Sequence, residues 1–203
     1  MRPFPFALAY QAKKDAAPAK GAAPAAADPA AKAIAAIEKS GGSVRAIAQN
    51  DDRREVSFQL QGVAIKDADI APVAQLSKVA YLNLGKTSVT DAGLAYLKGL
   101  ADLEQLHLEG TSITDKGLIY LKDLKKLTYL NLYNTAVTDV GLAQLVGLTN
   151  LKQLYLWQTK VTDAGVKKLK QALPNLDINR GWELEPKPPA KAEPKEEKKE
   201  KSN

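Results

Sequence analysis

Residues 82–124 read LNLGKTSVTDAGLAYLKGLADLEQLHLEGTSITDKGLIYLKDL. The stretch holds two copies of one pattern. The pair L-x-L occurs at Leu82/Leu84 and Leu106/Leu108, and TDxG begins at Thr90 and again at Thr114. Working outward, L-x-L returns at Leu130/Leu132 and Leu154/Leu156, and TDxG at Thr138 and Thr162, always in steps of 24. One step toward the N-terminus lands on Phe58/Leu60 and on Asp67-Ala68-Asp69-Ile70, a degenerate first copy. Self-similarity at a fixed period marks a stacked architecture, because one unit cannot bury its apolar residues alone.

Each position in the unit has a physical role. The alternation Leu82, Asn83, Leu84 has period two and predicts a half-buried strand. Thr90 is placed as a helix N-cap, its hydroxyl expected to accept from the amide of Gly93. Val89 and Leu94 have the spacing of a hydrophobic staple. Leu94, Leu97 and Leu100 form the inward stripe of a short helix. Gly93, Gly117, Gly141 and Gly165 mark points where adjacent helices are expected to approach closely.

The pattern resembles the leucine-rich repeat family. The family's L-x-x-L-x-L-x-x-N/C-x-L stands here as Leu103-x-x-Leu106-x-Leu108-x-x-Thr111-x-Ile113. Thr87, Thr111, Thr135 and Thr159 replace the usual Asn or Cys, and a hydroxyl can also satisfy backbone groups in a buried ladder. The VTDxGL continuation is similar to a subtype found in F-box receptors and in exported bacterial repeat proteins. The resemblance spans about residues 56–181 and implies an α/β fold. That fold is a short horseshoe solenoid with a parallel sheet on the concave face and short helices on the convex face. Some similar exported proteins are fused to c-type haem domains; no CxxCH occurs here, so no haem role carries over.

The flanks have another composition. Residues 1–28 are rich in Ala, Pro and Lys, and 184–203 in Lys, Glu and Pro; both lack the apolar side chains that offset ordering entropy and are expected to be disordered. Residues 29–55 are expected to form a cap of one helix plus strand. Asp28-Pro29 start the helix and Gly41-Gly42 stop it, with two strands over 43–49 and 54–61 around Asn50-Asp51-Asp52. The repeats and a C-terminal cap fill 56–183, with Trp182 packing over the last repeat. The start, MRPFPFALAYQA, carries a faint signal-peptide pattern, as a remnant of one would. With the family resemblance it favours export, periplasmic or extracellular, over the cytoplasm. No apolar stretch reaches the ~20 residues of a membrane span.

The formal net charge is +6. Residues 1–33 contribute +3 and residues 184–203 contribute +1, which leaves +2 for residues 34–183. The surplus therefore argues for solubility or tethering and not for a nucleic-acid groove. There is no cysteine and one histidine, His107. Disulfides, thiolate metal sites, Cys nucleophiles and multi-His metal sites are excluded. Neither G-x-x-x-x-G-K-[ST] nor G-x-G-x-x-G occurs. His107 lies in a strand with Glu109 two residues on, and a surface histidine is a better assignment than a base. Asp91, Asp115, Asp139 and Asp163 form a ladder. It is either a calcium row or a set of first-turn residues each on its own helix dipole, and the missing D-x-D clusters favour the dipole. No catalytic residue, metal or cofactor is assigned.

The outward-facing columns are expected to carry the function. One reads Ser57, Tyr81, Gln105, Tyr129, Gln153; the next Gln59, Asn83, His107, Asn131, Tyr155; the third Gln61, Gly85, Glu109, Tyr133, Trp157. Strands lie ~4.8 Å apart, so these side chains touch between repeats. Tyr129, Tyr133, Tyr155 and Trp157 are expected to form one aromatic cluster. With Tyr81, Asn83, His107, Glu109 and Asn131 they have the composition of an interface hot spot. The expected function is a non-enzymatic, monomeric module that binds a protein or peptide. Carbohydrate binding by the same face, or an accessory scaffold role, is the alternative.

Overall fold

The computed structural model of the protein describes residues 28–181. The expectations placed on 1–27 and 182–203, disorder at both ends and a capping Trp182, lie outside them. Helix α1 (Pro29–Lys39) opens on Asp28, whose carboxylate accepts from the Ala30 amide at 3.0 Å, with Pro29 at the first turn. Strands β1 (Ser43–Ala48) and β2 (Asp51–Ser57) follow as an antiparallel pair. The buried Ala33 and Ile37 face inward, and a carbon added at Gly42 would lie 2.6 Å from the ring of Phe58 and 2.7 Å from Ile37. Helix α1 thus covers the start of the core.

After β2 comes α2 (Asp67–Ile70), and from there strand and helix alternate. The strands are β3 (Val79–Asn83), β4 (Gln105–His107), β5 (Tyr129–Asn131), β6 (Gln153–Tyr155) and β7 (Asp177–Asn179). The helices are α3 (Asp91–Leu94), α4 (Asp115–Leu118), α5 (Asp139–Leu142) and α6 (Asp163–Ala172). All but α6 pass directly into a 3-10 turn that keeps the next leucine inward, as at Leu97, Leu121 and Leu145. The seven strands form one sheet in sequence order, parallel from β2 to β7. The register repeats the sequence period: Leu82 pairs with Leu106, Leu106 with Leu130, and Leu130 with Leu154.

The core is a stack of apolar columns, one layer per repeat. Leu82, Leu106, Leu130 and Leu154 are fully buried, as are Leu103, Leu127 and their neighbours. Complete burial of a leucine contributes about 1.5–3 kcal/mol. The threonines that stand for the family's Asn also go inward. The hydroxyls of Thr87, Thr111, Thr135 and Thr159 donate to the carbonyls of Leu84, Leu108, Leu132 and Leu156 at 2.6–2.7 Å. The residue just before each threonine is left-handed, at Lys86, Gly110, Asn134 and Gln158, and the first repeat has the same turn at Gly62.

The first repeat corrects the register expected from the period. Val56, not Phe58, pairs with Leu82, and Ser57 pairs with Asn83, a step of 26. Phe58 is buried, whereas Leu60 is 86% exposed. Asp67 keeps its step of 24 from Asp91, so the two extra residues fall in the turn between β2 and the short 3-10 helix Gly62–Ala64. Ser57 therefore belongs to the second outward column, and Glu55 heads the first, beside Tyr81.

Candidate functional site

The helical side is built by repetition. Each aspartate reaches beyond its own helix to the N-cap threonine of the next one. Asp91 accepts from the amide of Thr114 at 2.8 Å and from its hydroxyl at 2.5 Å. Asp67 does this to Thr90, Asp115 to Thr138 and Asp139 to Thr162. Each aspartate also keeps its expected place in the first turn of its own helix, so the bond to the next cap is an addition to the dipole contact. It also explains the glycines: a carbon at Gly93, Gly117 or Gly141 would stand 2.4 Å from an oxygen of Asp67, Asp91 or Asp115. The adjacent helices approach closely there, as expected, and the glycine makes room for the neighbouring helix's carboxylate. The capping hydroxyls accept from the second helical amide, Ala92, Lys116 and Val140, and only in the last repeat from the expected third, Gly165. Asp163 ends the series. Its side chain is 91% exposed and pairs with the buried Arg180.

The sheet face is built by variation. Register places Tyr81, Gln105, Tyr129, Gln153 and Asp177 in one column, and Asn83, His107, Asn131, Tyr155 and Asn179 in the next. Two of the asparagines have a structural role. Asn83 is 5% exposed, and its carboxamide oxygen accepts from the Gly85 amide at 2.9 Å. Asn131 does the same for Tyr133 at 3.0 Å, as does Asn179 for Gly181 at 2.9 Å. These are local turns that close the strand ends.

The aromatic residues divide into two groups where one was expected. Tyr81, His107, Tyr129 and Tyr155 form a zigzag row across four strands, with centroids 5.1, 4.7 and 5.3 Å apart in that order. Separately, Tyr133 stacks on Trp157 at 5.1 Å and 27°. His107 joins the row because its column neighbours the tyrosine column, a placement that reading along each column missed. Trp157 is 46% exposed, the most open of these rings. A carbon at Gly181 would fall 2.3 Å from the indole, so the ring lies between Tyr133 and the Gly181 backbone. Burial raises the Tyr81 hydroxyl's pKa and pushes that of Tyr129 up to about 12. Both stay neutral donors in the physiological range.

Glu109 lies in the middle of the face. Its Oε2 stands 3.6 Å from His107 Nδ1, and the two side chains are 13% and 17% exposed. Burial opposes its charge. The polar contact from His107, its own backbone amide and the attraction of His107 and Lys86 outweigh that, and hold the carboxyl below its usual value. Room for it comes from Gly85, where a carbon would lie 2.4 Å from Oε1. Among the described residues no group of three or more His, Asp or Glu could hold a metal ion. A groove of about 100 Å³ between α5 and α6 is lined by Leu142, Val146, Leu169 and Lys168. It is smaller than the ~300 Å³ of a small-molecule site, and none of the rings lines it.

The model of a family described as Leucine Rich repeat matches residues 100–122, one step of the period. The same pattern stands in the same register on either side of that match, so the repeats of this chain are similar to leucine-rich repeats. No curated protein matches it. Among solved structures it is similar to an internalin C2 of Listeria monocytogenes, at 31% identity and a TM-score of 0.46, over 53% of this chain and 44% of that one. It is similar also to an internalin (inlF) of the same organism, at 26% and 0.40, over 54% and 36%. A leucine-rich repeat protein of Leptospira interrogans gives 25% and 0.40, over 54% and 33%. The chain spans less than half the length of each of these. Leucine-rich repeats in general mediate protein–protein binding and are typically non-enzymatic. No described helix is long and apolar enough to cross a membrane.

Proposed function

We propose that the sheet face is a recognition surface for a protein or an extended peptide. The observation that carries it is the pair of ring groups on one face, the row from Tyr81 to Tyr155 and the stack of Tyr133 on Trp157. Open aromatic area beside neutral hydroxyls is the chemistry of interface anchors, apolar in body and hydrogen-bonding at the tip. Asn83 and Asn131 act by closing the strand ends, so the contact set narrows to Tyr81, His107, Glu109, Tyr129, Tyr133, Tyr155 and Trp157. Carbohydrate is the weaker candidate. A sugar stacks on a free ring face, and the indole of Trp157 is flanked by Tyr133 on one side and Gly181 on the other. The similarity of the repeats to those of exported bacterial proteins favours a periplasmic or extracellular setting, which cell fractionation checks.

The test is affinity capture from the native organism with the wild type and with Trp157→Ala and Tyr133→Ala. A protein retained by the wild type and lost by both variants, at unchanged folding, is the expected result. Equal retention by all three places binding elsewhere. Specific retention on a glycan array that Trp157→Ala abolishes would favour the carbohydrate reading.

A further inference from the structure

The His107 repeat departs from its neighbours. At the same column position Asn83, Asn131 and Asn179 each cap the amide two residues on. Histidine has no carbonyl to do so, and Glu109 fills the space instead. Its Oε2 is buried and has no hydrogen-bond partner, while His107 Nδ1 stands 3.6 Å away. That gap is longer than a hydrogen bond and short enough for strong attraction if the imidazole carries charge. His107 is also the central link of the ring row, 5.1 Å from Tyr81 and 4.7 Å from Tyr129.

We propose that His107 and Glu109 form a proton-operated latch that orders the ring row. With the imidazole protonated, Nδ1 closes on Oε2, gives the carboxylate its missing donor and fixes the ring between Tyr81 and Tyr129. With it neutral, the latch relaxes. Imidazole is the side chain that changes charge between about pH 5 and 8. The ionisable groups around the pair are Tyr81 on β3, Tyr129 on β5, Lys86 on the turn after β3 and Glu55 on β2. The tyrosines remain neutral throughout this range. Use of the latch to control binding rests on the recognition role proposed above.

The experiment reads the latch without a partner, so its failure is separate from failure of the recognition role. The Tm cost of Glu109→Gln is measured in the full chain with His107 present and with His107→Gln, at about pH 5.5 and 8.5. The expected result is a difference between the two costs of about 2–4 °C at the lower pH, as for a coupling near 1 kcal/mol. The costs coincide at the higher pH. In the wild type, nuclear Overhauser contacts from the single histidine ring to Tyr81 and Tyr129 are expected to strengthen at the lower pH. A coupling equal at both pH values, or ring contacts that do not change, overturns the proposal.

Discussion

One 24-residue step is used in two opposite ways on the two sides of the solenoid. On the helical side the same atoms meet at every step: an aspartate, the amide and hydroxyl of the next N-cap threonine, and a glycine that leaves the carboxylate room. On the sheet face the equivalent positions change at every step, from Tyr81 to Gln105 to Tyr129 to Gln153. Repetition is what stacking requires, because each repeat is held by its neighbour and must present the surface it receives. Variation is what recognition permits, since the outward side chains meet through ring contacts and an occasional hydrogen bond such as Asn83 to Gln59, with no bond repeated at every step.

Four expectations test that division, starting from the interior that both sides share. Leu130→Ala empties a fully buried site and should lower stability by about 2–5 kcal/mol in urea unfolding. Asp115→Ala should follow at about 1–3 kcal/mol, because the amides of Thr138 and Gly141 and the Thr138 hydroxyl lose one acceptor together. Gly141→Ala, which sets a carbon against that carboxylate, should cost a similar amount. If either variant is neutral, the Asp–Thr clasp is not what joins the repeats. Trp157→Ala should cost only about 0.5–1.5 kcal/mol of stability, the worth of one aromatic pair, while binding is lost. Loss of folding instead would make the indole part of the core.

The smallest effect is one of pH. The Asp139 carboxyl is held below its ordinary value of 3.8, first by the Thr162 hydroxyl and then by the Thr162 amide. A lowered carboxyl contributes its full stability above the ordinary value and loses it as pH falls through the lowered one. Acid unfolding of Asp139→Asn should therefore be less steep below pH 4 than that of the wild type, with stability near neutrality already reduced.

Most of the fold was legible in advance, and its misses share a cause. The period placed Leu82, Leu106, Leu130 and Leu154 correctly, because burial at a fixed spacing leaves a record at every step. It misplaced the first strand by two residues, since Phe58 and Leu60 mimic L-x-L while the extra residues hide in a turn. The aspartates were seen as a ladder, yet their partners were not. A bond from Asp91 to Thr114 joins neighbours in space that lie 23 apart in sequence. The left-handed turns leave no pattern in the sequence because only Gly62, Gly110 and Asn134 suit that conformation, and Lys86 and Gln158 disguise the series.

For the candidate site, sequence supplied the columns and tertiary structure supplied the pairs. Alternation along a strand determines which side chains leave the core, so Tyr81, His107, Glu109, Tyr129, Tyr133, Tyr155 and Trp157 could be named from residues alone. It also determined that no cysteine chemistry is available and that most of the net charge lies in the flanks. Side chains lean across columns as well as along them, and only the packed sheet decides which neighbour each ring meets. That lean put His107 between two tyrosines, left Glu109 without a hydrogen-bond partner for one oxygen, and set Trp157 between Tyr133 and Gly181.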